Sequence, residues 1–232
     1  MIGPDEAHVW ILDDAPGQAA DCDALCGPEL EAMRKLRIPA ARRAYALRHV
    51  ALRHALSRCV PVVAPGEWSF DRGPCGRPEV LAGRDLPPIR FNISHTRGAM
   101  AFVVTATADC GIDIEAKNSQ LDLGAMSSLV LGDSERIMMA STCEGDRLRL
   151  FYQLWTLKEA YLKACGLGLS RPMTTVEFDV RATSPALAES RPRDGRAWQF
   201  DQWSVGDEYL VALAVGAPRE APIRVVHHAA LD

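Results

Sequence analysis

Hydrophobic and polar residues alternate along this chain with two periods, one typical of helices and one typical of strands. Helical spacing is clearest over about residues 40–58, where Ala44, Leu47, Ala51 and Ala55 form an apolar face opposite basic residues. Further helices are predicted over about 22–37, 121–131, 134–141 and 146–165. Glycine tolerates the left-handed conformation common at helix ends, so Gly166 predicts the end of the last helix.

Short segments rich in Val, Ile and Phe predict the strands. They cover 8–12, 68–70, 90–94, 100–105, 111–115, 175–180, 197–204 and 209–215. Residues 71–88 and 185–195 are predicted loops, and 205–208 is a predicted hairpin connection. The elements fall into two blocks of helices and mainly antiparallel strands. This order predicts an α+β fold with an N-terminal half, 1–117, and a C-terminal half, 118–232.

Composition narrows the possible functions. The chain has 232 residues, of which 48% are hydrophobic, so it can bury a substantial core. Its net charge of -4 argues against general nucleic-acid binding. We expect a cytoplasmic protein, because no apolar run is long enough to span a bilayer and the first residues lack a secretory signal. Seven cysteines, an odd number without clustered histidines, predict reduced thiols.

Two carboxylates stand out in the segment Gly111-Ile112-Asp113-Ile114-Glu115. On a strand, Asp113 and Glu115 project from one face while the two isoleucines project from the other. Hard cations such as Mg²⁺ prefer carboxylate oxygens together with phosphate oxygens and water. The pair therefore suits a metal that a pyrophosphate substrate helps to bind. The alternative is an edge strand with an acidic, solvent-exposed face.

A second candidate is the helix around Trp155, Glu159 and Lys163, which share one side at helical spacing, with Lys158 beside them. Such a helix could bring a carboxylate to a metal and ammonium groups to phosphates. The alternative is an ordinary amphipathic helix, in which Glu159 and Lys163 form a solvated pair.

Two shorter segments could also contact phosphates. Ser94 and His95, at the end of a strand, can both donate hydrogen bonds, although such residues also satisfy backbone groups at turns. Arg77 lies in a tight Gly-Arg-Pro loop and could form a bidentate phosphate contact, with simple solvent exposure as the alternative.

Four of these segments, taken in their order along the chain, match the motifs of a known protein family. They are Gly76-Arg77-Pro78, Asn92-Ile93-Ser94-His95, Gly111-Ile112-Asp113-Ile114-Glu115 and Trp155-Thr156-Leu157-Lys158-Glu159-Ala160-Tyr161-Leu162-Lys163. Together they resemble the Sfp-type 4′-phosphopantetheinyl transferases, which activate carrier proteins. The resemblance spans about residues 40–170, and the motifs that are specific to the family lie between residues 76 and 163. It implies the family's fold, a pseudo-dimer of two similar α+β halves with the active site between them.

The resemblance also implies roles for individual residues. Asp113, Glu115 and Glu159 would bind Mg²⁺, with Glu159 and Lys163 also counted as catalytic. Coenzyme A would be held by Arg77, Ser94, His95, Lys158, Lys163 and two basic residues of the long N-terminal helix, Arg43 and Arg48. Glu135 falls where the family often has a glutamate that deprotonates the carrier serine. Its alternative role is to stabilise the first turn of a helix.

The implied enzyme is a holo-[acyl-carrier-protein] synthase, or 4′-phosphopantetheinyl transferase. A serine of an apo carrier protein would attack the β-phosphorus of coenzyme A, the co-substrate, and 3′,5′-ADP would leave. We expect a monomer whose partner is an acyl or peptidyl carrier of fatty-acid, polyketide or nonribosomal peptide synthesis, with a place in secondary metabolism. The alternatives are a magnesium-dependent hydrolase of the coenzyme A pyrophosphate and a non-catalytic module that binds coenzyme A or a carrier.

Overall fold

A computed structural model describes residues 1–13, 22–73, 76–81, 86–166, 171–182, 184–188, 196–217 and 222–230. The helices in these ranges are α1 (Gly27–Lys35), α2 (Pro39–Cys59), α3 (Leu123–Val130), α4 (Asp133–Ser141) and α5 (Glu144–Ala164). The strands are β1 (Glu6–Asp13), β2 (Phe70–Arg72), β3 (Pro78–Val80), β4 (Arg90–Thr96), β5 (Ala99–Thr105), β6 (Asp109–Ala116), β7 (Phe178–Asp179), β8 (Ala186–Leu187), β9 (Ala197–Val205), β10 (Tyr209–Ala217) and β11 (Arg224–His228).

The longer strands form two sheets. The first has the order β11-β1-β5-β4 and the second the order β6-β10-β9. All the ladders in these sheets are antiparallel except that between β1 and β11. Two small hairpins, β2–β3 and β7–β8, complete the pairing among the described strands. The predicted α+β class with mainly antiparallel strands is confirmed.

The two sheets pack face to face between two long helices. Helix α2 covers the outer face of the first sheet through residues such as Leu52 and Leu56, which pack near Phe102. The inner faces meet through alternate residues such as Val103 and Ile112. On the outer face of the second sheet lies α5, so the layers run helix, sheet, sheet, helix. Alternating apolar positions on the strands supply both sheet faces with core residues.

The predicted helices are all present, with small shifts at their ends. The loop predicted over 71–88 contains the β2–β3 hairpin, and the strand predicted over 175–180 is reduced to Phe178–Asp179. Strand β11 was not predicted, because it has one parallel neighbour rather than a hairpin partner. The predicted hairpin at 205–208 is confirmed, and the positive φ of Gly206 permits its turn. Most of the predicted loop over 185–195 lies outside the described residues.

The division into halves at residue 117 stays a prediction. Two strand pairs join residues from the two predicted halves: β6 pairs with β10, and β1 pairs with β11. Among the described helices, none is long and apolar enough to cross a membrane. The six cysteines in the described ranges are free thiols.

Candidate active site

Strand β6 presents the two predicted carboxylates. Ile112 and Ile114 face the first sheet, while Asp113 and Glu115 face the opposite way, toward α5, as the alternation predicted. Asp113 is 2% exposed, whereas Glu115 is half-buried. Gly111 allows α5 to lie close to this strand, because a Cβ atom there would be 2.0 Å from the Ala160 carbonyl oxygen.

Helix α5 brings Lys163 to the same place. Its Nζ lies 2.6 Å from Asp113 Oδ1 and donates a hydrogen bond of 2.9 Å to Ser94 Oγ on β4. The Ser94 hydroxyl in turn donates to Asp113 Oδ1 at 2.9 Å. A lysine, a serine and an aspartate from three different elements therefore meet in one cluster.

The remaining two carboxylates are electrostatically coupled to this cluster. Burial raises the pKa of Glu115 to about 7, and the negative charge of Asp113 adds to the effect while Lys163 opposes it. Burial also raises the pKa of Glu159, with Lys163 opposing this and Asp113 contributing to it. We call Asp113, Glu115, Glu159, Lys163 and Ser94 the acidic cluster. Its carboxylates repel one another, and a bound cation would relieve that repulsion.

The donor set of the acidic cluster suits a hard cation. Asp113 Oδ2 is buried and has no hydrogen-bond partner, an unsatisfied acceptor of a kind that is rare in folded proteins. Oxygen atoms of carboxylates are the ligands that Mg²⁺ prefers. Over the described ranges, no three His, Cys, Asp or Glu side chains are already assembled around a common centre. Lys163 instead neutralises part of the charge of Asp113.

Polar residues of β4 join this strand to β6, although the two belong to different sheets. Asn92 Oδ1 accepts a hydrogen bond of 3.0 Å from the Ile112 amide, and Thr96 Oγ1 accepts one of 3.2 Å from the Ala116 amide. Sequence reasoning missed these two residues. The period-two row formed by Asn92, Ser94 and Thr96 was the signal that could have found them. His95 points to the other side of β4 and is exposed, so it does not join the cluster.

Glu135 and Lys158 lie together at a different place. Both side chains have no exposed surface, and they form an ion pair with each other. Glu135 accepts hydrogen bonds from the Gly132 and Phe178 amides, at 2.8 and 2.9 Å. Lys158 also donates to the Val130 carbonyl oxygen at 2.6 Å. This placement argues against deprotonation of a carrier serine by Glu135 and against a phosphate contact by Lys158, because neither side chain can be reached by a substrate.

The side chains of the other predicted coenzyme A contacts do not join the carboxylates of the acidic cluster. Arg43 and Arg48 are half-buried residues of α2, the helix that covers the outer face of the first sheet. Arg77 donates hydrogen bonds to backbone carbonyl groups through both terminal nitrogens of its guanidinium. The structure therefore assembles Ser94, Asp113, Glu115, Glu159 and Lys163, but not the remaining predicted residues.

Known proteins resemble this chain over most of its length. The family model of the 4′-phosphopantetheinyl transferase superfamily matches residues 109–214, the range that holds β6, α5 and most of β10. The 4′-phosphopantetheinyl transferase HetI of Nostoc sp. is 30% identical over 215 residues, covering 91% of this chain and 88% of HetI. The chain belongs to the 4′-phosphopantetheinyl transferase superfamily.

Other members of the superfamily are similar over shorter ranges. The 4′-phosphopantetheinyl transferase of Bacillus subtilis is 28% identical over 156 residues, which is 66% of each chain. Among solved structures, a holo-(acyl-carrier-protein) synthase from Bacillus anthracis in complex with CoA (3′,5′-ADP) aligns at a TM-score of 0.40 and 25% identity. It covers 47% of this chain and 94% of that one. The predicted family and enzyme class, a phosphopantetheinyl transferase, are confirmed.

Proposed function

We propose that this phosphopantetheinyl transferase moves the 4′-phosphopantetheine group of coenzyme A to a serine of an apo carrier protein, using Mg²⁺ bound by Asp113, Glu115 and Glu159. The observation that carries the proposal is the buried, unpartnered Oδ2 of Asp113, surrounded by two carboxyl groups with raised pKa values and by the Lys163 ammonium. Buried acceptors without a partner are uncommon in folded proteins, and a bound cation would supply one here.

The charges of the acidic cluster suit a pyrophosphate substrate. When bound, Mg²⁺ would neutralise negative charge on the pyrophosphate oxygens. Lys163 reaches the cluster from α5 with a side chain that is 24% exposed, so its ammonium can move from Asp113 to a phosphate oxygen when substrate enters. Ser94 Oγ, which already touches Lys163, supplies a further hydrogen-bond donor.

The group transfer needs one proton acceptor. The carrier serine oxygen bonds to the β-phosphorus of coenzyme A, and the bond from that phosphorus to the bridging oxygen breaks, so 3′,5′-ADP leaves with the electron pair. We assign Glu159 to accept the serine proton, directly or through one water, in addition to completing the metal ligand set. Unlike Glu135, Glu159 is partly exposed, so the carrier serine or a single water can reach it.

An apolar pocket beside Glu159 suits the pantetheine arm. It has a volume of about 300 Å³ and is lined by Glu159 together with residues such as Trp155, Met126, Leu129 and Met173. The pantetheine arm carries no charge, so walls of this kind would hold it without leaving a buried charge unpaired. Trp155 is further held by stacking on Tyr152.

The partner, the compartment and the oligomeric state are parts of the same proposal. The acceptor would be an acyl or peptidyl carrier of fatty-acid, polyketide or nonribosomal peptide synthesis. Action as a cytoplasmic monomer and a place in secondary metabolism stay predictions.

The test is transfer of the group to apo carrier proteins, measured by the intact mass of the carrier. Purified enzyme is mixed with coenzyme A, Mg²⁺ and each of several apo carriers, and the phosphopantetheinyl adduct is expected on at least one serine. The adduct should disappear when EDTA replaces Mg²⁺. Glu159→Gln should lower the rate by about a thousandfold, because metal binding and proton transfer both depend on this carboxylate.

The matched control is Glu144→Gln, the same substitution on an exposed residue at the other end of α5. It should transfer at the wild-type rate. Failure to modify any carrier would contradict the proposal, and so would full activity of Glu159→Gln. Release of phosphopantetheine in the absence of a carrier would favour a hydrolase instead.

A further inference from the structure

The guanidinium of Arg77 is bound to four carbonyl groups from three elements. One terminal nitrogen, Nη1, donates to the carbonyl oxygens of Lys163 and Ala164 at 3.0 and 3.1 Å. The other, Nη2, donates to those of Phe91 and Cys110, also at 3.0 and 3.1 Å. Hydrogen bonds from a charged donor are stronger than neutral ones, and a rigid planar fork keeps the four acceptors in fixed relative positions.

The three elements that Arg77 joins are those that build the acidic cluster. Phe91 lies on β4 three residues before Ser94, and Cys110 lies on β6 three residues before Asp113. The third element is the C-terminal end of α5, where the last carbonyl groups carry partial negative charge. A single cation there holds α5, β4 and β6 together at one end of the cluster.

Arg77 is itself held firmly by the β2–β3 hairpin. The Gly73 amide donates to the Arg77 carbonyl oxygen at 2.9 Å, and the Gly76 amide donates to the Gly73 carbonyl oxygen at 2.8 Å. Gly76 has φ of 78°, a conformation that residues with a side chain rarely adopt, and Pro78 restricts the backbone on the other side. The described residues on either side of Arg77 therefore restrict the backbone that carries its side chain.

We propose that Arg77 is a positioning residue: it fixes the end of α5 against β4 and β6, so that Lys163 and Glu159 reach Asp113 and Ser94 in the geometry that transfer requires. The inference rests on the proposed function, and it differs from the direct contact with coenzyme A that the sequence predicted for this residue. Lysine cannot replace the arginine, because an ammonium has three donors at one point and cannot bond four carbonyl groups arranged around a plane.

Kinetics separate positioning from direct binding. Arg77→Lys and Arg77→Gln should lower kcat at saturating coenzyme A and Mg²⁺ by about tenfold or more, while KM for coenzyme A changes by less than about threefold. The lysine variant keeps the charge but should not restore the rate. Arg181→Gln is the matched control, because Arg181 is exposed and pairs with Asp179 on β7. It should keep wild-type kinetics.

The second measurement is amide hydrogen exchange of the same proteins without ligands, which does not depend on catalysis. Arg77→Lys should speed exchange in the last turn of α5 and in β6 relative to wild type and Arg181→Gln. A raised KM with unchanged kcat would overturn the inference in favour of direct binding. Unchanged exchange in Arg77→Lys would overturn the positioning role of Arg77. This result does not depend on activity, so it can be told apart from a failure of the wild type to modify any carrier, which would contradict the proposed function.

Discussion

Helix α5 carries two lysines that each meet a carboxylate, and the two sites differ in how completely their polar atoms are satisfied. The pair of Lys158 and Glu135 has no exposed surface, and backbone groups supply its further hydrogen bonds. In the pair of Lys163 and Asp113 the lysine side chain is partly exposed to solvent, and Asp113 Oδ2 has no hydrogen-bond partner. The ion pair of the first site joins α4 to α5, whereas the second site has a carboxylate oxygen that could bind a metal ion.

The difference teaches that residue type alone does not separate a structural ion pair from a functional one. A fully satisfied buried pair is complete without any ligand. An acidic cluster with an unpartnered oxygen and carboxyl groups of raised pKa suits a bound cation, and perturbed groups of this kind concentrate at functional sites.

The largest expected contrast is between activity and stability at Glu159. Glu159→Gln, which should slow transfer about a thousandfold, should leave the free energy of unfolding unchanged or slightly raised in metal-free buffer, because it removes a charge that burial destabilises. Urea unfolding followed by circular dichroism measures this. A large loss of stability would mean that the acidic cluster is structural after all.

The opposite result is expected at the buried pair. Lys158→Met should lower the free energy of unfolding by about 3–5 kcal/mol, because Glu135 would be left as a buried, unpaired charge. The double variant Lys158→Met, Glu135→Gln should recover much of that loss, since glutamine is neutral and still accepts a hydrogen bond. If the double variant were no more stable than the single one, charge burial would not be the cause.

The spacing between α5 and β6 offers a third test. A Cβ atom at residue 111 would lie 2.0 Å from the Ala160 carbonyl oxygen and 2.5 Å from the Ala164 amide nitrogen, so Gly111→Ala must push the helix away. We expect a loss of about 1–3 kcal/mol in the free energy of unfolding, from overpacking. The rate of transfer should fall more than this loss of stability explains, because the carboxylates and Lys163 would separate. Gly145→Ala, at an open position on the same helix, is the control.

The most gradual expected effect is the pH dependence of Glu115. Its pKa is about 7 in the folded protein against an ordinary value of 4.5, so between these values the native state holds a proton that the unfolded state has lost. In metal-free buffer, its contribution to stability should therefore fall as pH rises from about 4.5 to 7. Below pH 7, the apparent affinity for Mn²⁺ should rise by about tenfold per pH unit, because the cation displaces one proton. Glu115→Gln should reduce both slopes and leave only the part due to Glu159, which urea unfolding and Mn²⁺ titration would detect.

Much of the fold could be predicted, because the helices and the longer strands have regular apolar spacing. The alternation along β6 was enough to place Asp113 and Glu115 on the face opposite the two isoleucines. Glu159 joined them only through the order of family motifs, since no spacing within α5 says which strand the helix covers. The parallel strand β11 and the short strand β3 have too little local pattern to be predicted, whereas the strand predicted over 68–70 overlaps β2 at Phe70.

The roles of the basic residues were harder to predict from sequence. Lys158 and Lys163 have similar neighbours along α5, and only the packing of α3 and α4 decides that Lys158 points inward. Arg77 has an equally ambiguous sequence context. The carbonyl groups that it binds come from residues up to 87 positions away in the chain, so no local pattern could reveal them.

The most direct test of the account is a crystal structure with coenzyme A and Mn²⁺, in which anomalous scattering locates the metal. We expect an anomalous peak in contact with Asp113 Oδ2, with Glu115 and Glu159 among the other ligands, and Lys158 still paired with Glu135. A peak elsewhere, or none at saturating Mn²⁺, would contradict the assignment of the acidic cluster as the catalytic metal site.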